Sequence, residues 1–388
     1  NTTMTLIGSE AGTAINSNNA NGTVAVGYQS LASLTSGATN TALGTRSGDA
    51  ANTASGSVFL GNNAGGTVTT GNQNIAIGLD SMNGGTTTGD NNIAIGVSAG
   101  DALTSGYQNV LMGLDAGTTL TTGHSNTAIG RKALGNANAG TVKTVAIGAS
   151  AGFNGDSDES VFIGFNAAGD GTKTSDSDGS VGIGKSVLNA LTSGIGNTAV
   201  GFQALTAEDD GDHNTAIGYT ALKAQTGTTG IIGNTAVGYE AGVKITTGKN
   251  NTVLGSQALS NETDGNYNVA IGWKAARNMT GATDNVVIGY KAMANIDNNP
   301  GDEIANCVAI GYEAFLGSDN NSTGTTTDAN GTVAIGHSSL KALTSGQYNV
   351  AVGFEAASTM AANDGITAFG YQAAKGASGG GTYNTALG

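Results

Sequence analysis

The sequence is poor in most of what ordinary globular domains use. Its 388 residues include one proline, one cysteine and 14 lysines and arginines; charged side chains make up 11% and aromatics 5%. The single cysteine, Cys307, cannot form an internal disulfide, so the fold is not a disulfide scaffold. Few basic residues against 28 acidic ones leave a net charge of −14. That excludes the clustered Lys and Arg that nucleic-acid binding requires, and anionic membrane surfaces would repel such a chain. No run approaches the roughly 18 apolar residues of a membrane span, so neither a nucleic-acid partner nor membrane insertion is expected. The lack of proline, and of glycine at every third position, excludes collagen.

What the chain does have is glycine, 65 residues of it. Glycine costs about 1 kcal/mol per helix position relative to alanine, which argues against helical domains. Disorder fits poorly as well, because 38% of the residues are hydrophobic and they recur at fixed places. A five-residue box, most often Asn-Thr-Ala-Ile-Gly, ends at Gly8, Gly27, Gly44 and onward to Gly388, in 22 copies; 12 of the 21 intervals are 17 residues long. The longest intervals run from Gly289 to Gly311 and from Gly311 to Gly336. Such a fixed period marks a repeat architecture. One array is expected over residues 1–388. Since the sequence starts at Asn1 and stops inside a box, Asn384–Gly388, the array is expected to be truncated or to continue beyond both ends.

The columns of the repeat carry the physics. The residue before the box glycine is large and apolar in all 22 copies, from Ile7 to Leu387, and the residue two before that is always β-branched. Alternate strand residues share a face, so these two columns lie together. The column between them is alanine in 15 copies. The rest is largely Thr, Ser, Asn, Asp and Gly, which is turn chemistry. Seventeen residues suffice for two short strands and two turns. The fold expected is all-β, a parallel β-solenoid of about 22 short coils, with the large-residue face filling the interior. The alanine face then points outward as a seam for self-association, most simply in a parallel homotrimer.

Repeats such as Asn234–Gly242 (NTAVGYEAG) and Asn268–Ala276 (NVAIGWKAA) resemble the head repeats of YadA-type trimeric autotransporter adhesins. They resemble still more the repeat shafts of phage tail fibres, where such units alternate with TSG or TTG turns. The resemblance covers essentially the whole sequence. It implies a left-handed parallel β-roll in a homotrimer, displayed on a virion or a cell surface, with a host-surface glycan or protein as partner. The repeat unit is longer than the usual adhesin head coil, and no anchor, coiled-coil stalk or self-cleaving chaperone is seen. The longer unit favours the tail fibre.

Residues that could carry chemistry are few. Gly179–Ser186 (GSVGIGKS) matches the phosphate-binding loop pattern, but Ser180–Gly184 is a repeat box and no helix pattern follows Lys185. Acidic groups cluster at Asp156, Asp158 and Glu159; at Asp176 and Asp178; at Glu208, Asp209, Asp210 and Asp212; and at Asp297, Asp302 and Glu303. Calcium is a candidate cofactor there, although the spacing fits no known calcium loop and solvated turns explain the clusters as well. The residue after the box glycine is aromatic in ten copies, eight of them beyond residue 200. Tyr219, Tyr239, Trp273, Tyr290, Tyr312 and Tyr371 are therefore candidates for surface recognition, together with Asp297 and Asp302 in the insert Asn295–Asn306. A purely structural ring ladder is the competing reading. A second insert spans Gly317–Gly331. His124, His213 and His337 are far apart, and no catalytic constellation can be assembled. Cys307 occupies a box position usually held by Asn and reads as a packed thiol.

A non-enzymatic structural shaft of a trimeric fibre, most simply a phage tail fibre, is the function expected. A bacterial adhesin head or a self-assembling extracellular filament is the alternative. A polysaccharide depolymerase and an ice-binding solenoid fit less well: nothing selects a carboxylate pair, and the β-branched column mixes nine Thr with eleven Val and two Ile.

Overall fold

A computed structural model describes residues 3–16, 18–174, 177–227, 230–296, 304–317, 329–376 and 383–388. The chain is an all-β parallel solenoid with a period of about 17 residues. Among the described residues the only helical turn is Asn18–Ala20. Two compact units, Asn1–Ile195 and Gly196–Gly388, are built in the same way.

Each box contributes one three-residue strand. They run from Thr5–Ile7 to Val181–Ile183 in the first unit and from Thr198–Val200 to Thr385–Leu387 in the second. Within each unit these strands pair in parallel with the strand of the next coil, equivalent residues side by side: Thr235 with Thr252, Ala236 with Val253, Val237 with Leu254. Among the described residues the second strand expected in every coil is not there: outside the box strands there are only two-residue pairs, such as Asn136–Ala137 with Asn154–Gly155, and isolated bridges, such as Thr283 with Ala305. The reason is backbone handedness. Most coils place non-glycine residues in the left-handed region at recurring positions, as at Gln257 (φ 57°), Leu259 (φ 46°) and Tyr267 (φ 58°), and such residues interrupt extended chain.

The expected inside and outside are reversed. The middle residue of the strand is the buried one: Ala25, Ala42, Ala216 and Ala270 have no exposure. The flanking β-branched and large residues are half-buried or exposed on the outer face, with Leu43 50% and Leu254 47% exposed. The interior is filled instead from the turns, by residues four and seven positions after the box glycine. Leu31, Leu34, Leu188 and Leu191 are all fully buried. A coil this tight has no room for those leucines and a row of inward isoleucines as well.

Volumes compensate across this narrow core. Phe59 replaces the inward alanine in its coil, and the turn positions facing it are Gly48 and Gly65. A Cβ at either would come within 2.5 or 2.1 Å of the Phe59 ring. Leu111 is likewise flanked by Gly100 and Gly117. Close packing of this kind makes the core intolerant of a volume change at one position alone.

A buried asparagine at the start of the box ties coil to coil. Asn251 Nδ2 donates to Gly265 O (2.8 Å) and to Asn234 Oδ1 (3.2 Å), while its own Oδ1 accepts from the backbone N–H (3.0 Å) and Nδ2 (3.1 Å) of Asn268. The same pattern joins Asn92, Asn109 and Asn126 in the first unit. Asn268 and Asn285 extend it in the second, up to Cys307, whose N–H still reaches Asn285 Oδ1 at 3.0 Å. The strand that follows each asparagine is thereby held in register.

Replacing Asn251 by alanine strands the Asn268 N–H and the Gly265 carbonyl in the core. At about 1–3 kcal/mol for each unsatisfied group, Asn251→Ala should cost roughly 2–5 kcal/mol in denaturant unfolding. A comparable Asn→Ala change at exposed Asn250, which faces solvent, should cost much less.

Candidate recognition surface

The aromatic residues after the box glycines form columns because the backbone repeats there without slippage. Gln257 N donates to Tyr239 O (2.8 Å), Lys274 N to Ser256 O (3.0 Å) and Lys291 N to Trp273 O (2.9 Å). In the second unit two stacks result. Phe202, Tyr219 and Tyr239 form the first, with centroid separations of 5.1 and 5.5 Å. Trp273, Tyr290, Tyr312, His337, Phe354 and Tyr371 form the second, at 4.8–5.5 Å. The six aromatic candidates are thus brought together in two groups. Asp297 and Asp302 lie outside the described residues.

This stacking changes what the columns can do. Rings packed face to face offer solvent their edges, whereas a sugar stacks on a ring face. Tyr219, Tyr290 and Tyr312 have both faces covered and serve as the ladder. Open faces arise where the column is interrupted. Within the second unit that happens at Ser256, which stands between Tyr239 and Trp273.

The charges beside this interruption are uneven. Lys274 Nζ lies 4.2 Å from the Trp273 ring centroid. Tyr290 covers one Trp273 face, and Lys291 Nζ lies 5.6 Å from the Trp273 centroid and 5.7 Å from that of Tyr290. The Lys274 pKa is lowered, first by desolvation and then by repulsion from Arg277 and Lys291. Among the described residues none of these three cations has a carboxylate within ion-pair distance. On the opposite wall Gln257 Nε2 donates to Glu240 Oε2 at 2.8 Å.

The acidic clusters are mostly structural. Asp158 Oδ1 accepts the Val142 N–H (2.7 Å), Asp178 Oδ1 accepts the Asp158 N–H (2.8 Å), and Glu159 pairs with Lys143 (2.6 Å). Glu208, Asp209 and Asp210 place one carboxylate oxygen each within 4.8 Å of one another. Glu208 Oε1, however, already accepts the N–H groups of Asp209, Gly211 and Gly227 at 2.7–3.1 Å.

Sequence reasoning missed the role of Glu208, which it read as a turn residue. Seven positions after its box glycine, Glu208 stands where leucine fills the core elsewhere, and it is fully buried. Glu262 does the same three coils further on, accepting the Gly265 and Gly281 N–H groups at 2.8 and 2.7 Å. The signal was present: both fall in a mostly apolar column, which also holds the buried Gln225. Lys173 was missed too. It is buried in the first unit, and Nζ donates to Ala168 O at 2.6 Å.

The remaining candidates behave as structural residues. Val181–Ile183 of the phosphate-loop look-alike pairs with Val161–Ile163, and a turn follows Lys185. Cys307 is buried, donates to Ala329 O at 3.1 Å, and burial pushes its thiol up to about 11. His124 stacks on Tyr107 (4.6 Å) and His337 lies in the second aromatic stack, so the histidines do not converge. No helix among the described residues is long and apolar enough to cross a membrane. No protein-family model matches the chain, and no curated protein is significantly similar to it.

Burial raises the Glu208 pKa to about 7, outweighing the amides that lower it. The native state therefore holds a proton that the unfolded chain releases between about pH 4.5 and 7. The stability this gives is fully present below about pH 4.5 and is lost as pH rises through 7, by about 3 kcal/mol. In thermal melts, wild type should lose stability from pH 5 to 8 relative to Glu208→Gln. Lys173 has the opposite sign, because burial lowers its pKa to about 7. Its contribution is fully present above about pH 10.5 and is lost as pH falls from there to about 7, so Lys173→Met should gain on wild type as pH falls from 10 to 7.

Proposed function

We propose that this chain is the structural shaft of an elongated trimeric fibre, a phage tail fibre that reaches toward and attaches to a host surface. The observation that carries this reading is the outer face of the sheet. In coil after coil it presents a row of large apolar residues beside a row of valine, isoleucine or threonine, as at Val269 and Ile271, Val286 and Ile288, Val308 and Ile310, all half-buried. A repeating apolar stripe of this kind signals an interface, and each half-exposed side chain has about 1 kcal/mol to gain from full burial.

The self-association seam is thus assigned to the valine and isoleucine rows, not to the alanine column, which is spent inside each coil. A parallel trimer joins equal rows from three chains. It also triples any weak surface site, so avidity rather than single-site affinity secures attachment. The resemblance to tail-fibre repeats supports the virion setting, with a bacterial adhesin head or extracellular filament as the neighbouring alternative.

Light scattering after size exclusion tests the seam. Wild type should run at three times the chain mass. The double variant Ile217→Lys, Ile271→Lys, which places charges on the outer rows, should run at the chain mass with an unchanged far-ultraviolet circular dichroism spectrum. A monomeric wild type would end the trimeric reading.

A further inference from the structure

We infer that the break in the aromatic column at Ser256 is a binding slot for a terminal acidic pyranose, held edgewise between Tyr239 and Trp273. The inference rests on the reading of the chain as a surface-attaching fibre and names what one of its sites would recognise.

The width of the slot selects the kind of ring. Tyr239 and Trp273 stand two coils apart, so their facing surfaces are about 9.6 Å from each other, twice the ~4.8 Å spacing of parallel strands. A flat aromatic ring touching both walls needs only about 7 Å, at ~3.5 Å per contact. A puckered saturated ring with C–H groups on both faces needs about 8–9 Å. The gap therefore suits a sugar better than a planar heterocycle. Tyr239 and Trp273 are 49% and 38% exposed, so the slot opens to solvent.

The polar groups of the slot select charge. Lys274 Nζ lies 4.2 Å from the Trp273 ring centroid and, with Arg277 and Lys291, forms a cation cluster with no carboxylate partner among the described residues. In a chain of net charge −14, such a group of three cations beside an aromatic gap is complementary to an anion. On entry the sugar stacks on the Trp273 face that Tyr290 leaves open, and the Lys274 ammonium pairs with the sugar carboxylate. The Ser256 hydroxyl makes no hydrogen bond among the described residues and is placed to meet a ring hydroxyl. The other wall is less favourable to an anion, because Glu240 flanks Tyr239. This places the carboxylate on the Trp273 side.

Trp273 is the only tryptophan, so its fluorescence reports this slot alone. The intact protein is titrated with the methyl glycoside of a hexuronic acid and with that of the corresponding neutral hexose. A saturable emission change with the acid, at a dissociation constant on the order of 1–10 mM, and at least tenfold weaker binding of the neutral glycoside are expected. Lys274→Gln should weaken the acid about tenfold and leave the neutral glycoside unchanged. Ser256→Tyr should complete the column, keep the melting temperature at or above wild type, and abolish the response. Absence of a saturable response in wild type, equal affinity for the neutral sugar, or binding that survives Ser256→Tyr would each overturn the assignment. Any of these with a trimeric mass intact leaves the fibre reading standing; a monomeric mass removes that reading separately.

Discussion

The asparagine ladder is the interaction on which the rest of the structure depends. A solenoid coil of this size buries little apolar surface by itself, and its strand is only three residues long. Three ladder hydrogen bonds could slip by a residue without much loss if nothing else fixed the register. A buried side chain that both donates and accepts, and that meets its own kind one coil away, removes that freedom. Slippage would leave several buried polar groups unpaired at once. Where asparagine holds this position, the ladder inside fixes the register in which the aromatic and aliphatic columns outside are aligned.

A second constraint follows from how tightly the backbone closes. At the box glycine of each coil the chain adopts a conformation closed to side chains. At Gly255, for instance, φ is 139° and a Cβ would lie 2.4 Å from the Gly272 carbonyl oxygen. With coils in such close contact, the inward strand position accepts alanine, or a larger residue only where the facing turn gives way to glycine, as around Phe59. The large strand residues are left on the outside. The outer stripe and the internal packing are thus two results of one steric limit.

Much of this was legible in the sequence. The period, the single-residue columns, the parallel stacking and the turn chemistry follow from the spacing of the boxes, and so does the alignment of Tyr219 with Tyr239. Other features were readable but overlooked. Glu208 and Glu262 fall in a mostly apolar column, where a carboxylate is conspicuous, and the pairing of Phe59 with Gly48 and Gly65 is visible once the columns are aligned. What misled was the rule that the larger apolar face lies inside. It holds where the interior is wide, and it fails in a coil whose turns supply the core.

The sequence by itself therefore determined the repeat, the strand positions, the alternation of two unlike faces and the stacking of like on like, because each depends only on spacing and on period-two geometry. Only the tertiary structure decided which face is interior, that one side of the coil is turns rather than strand, and that stacked rings cover one another except at Ser256. Those outcomes depend on the width of the closed coil and on the left-handed residues that set it, such as Leu259 and Tyr267. Alternation along a strand distinguishes the two faces but carries no information about which of them the chain will curl around.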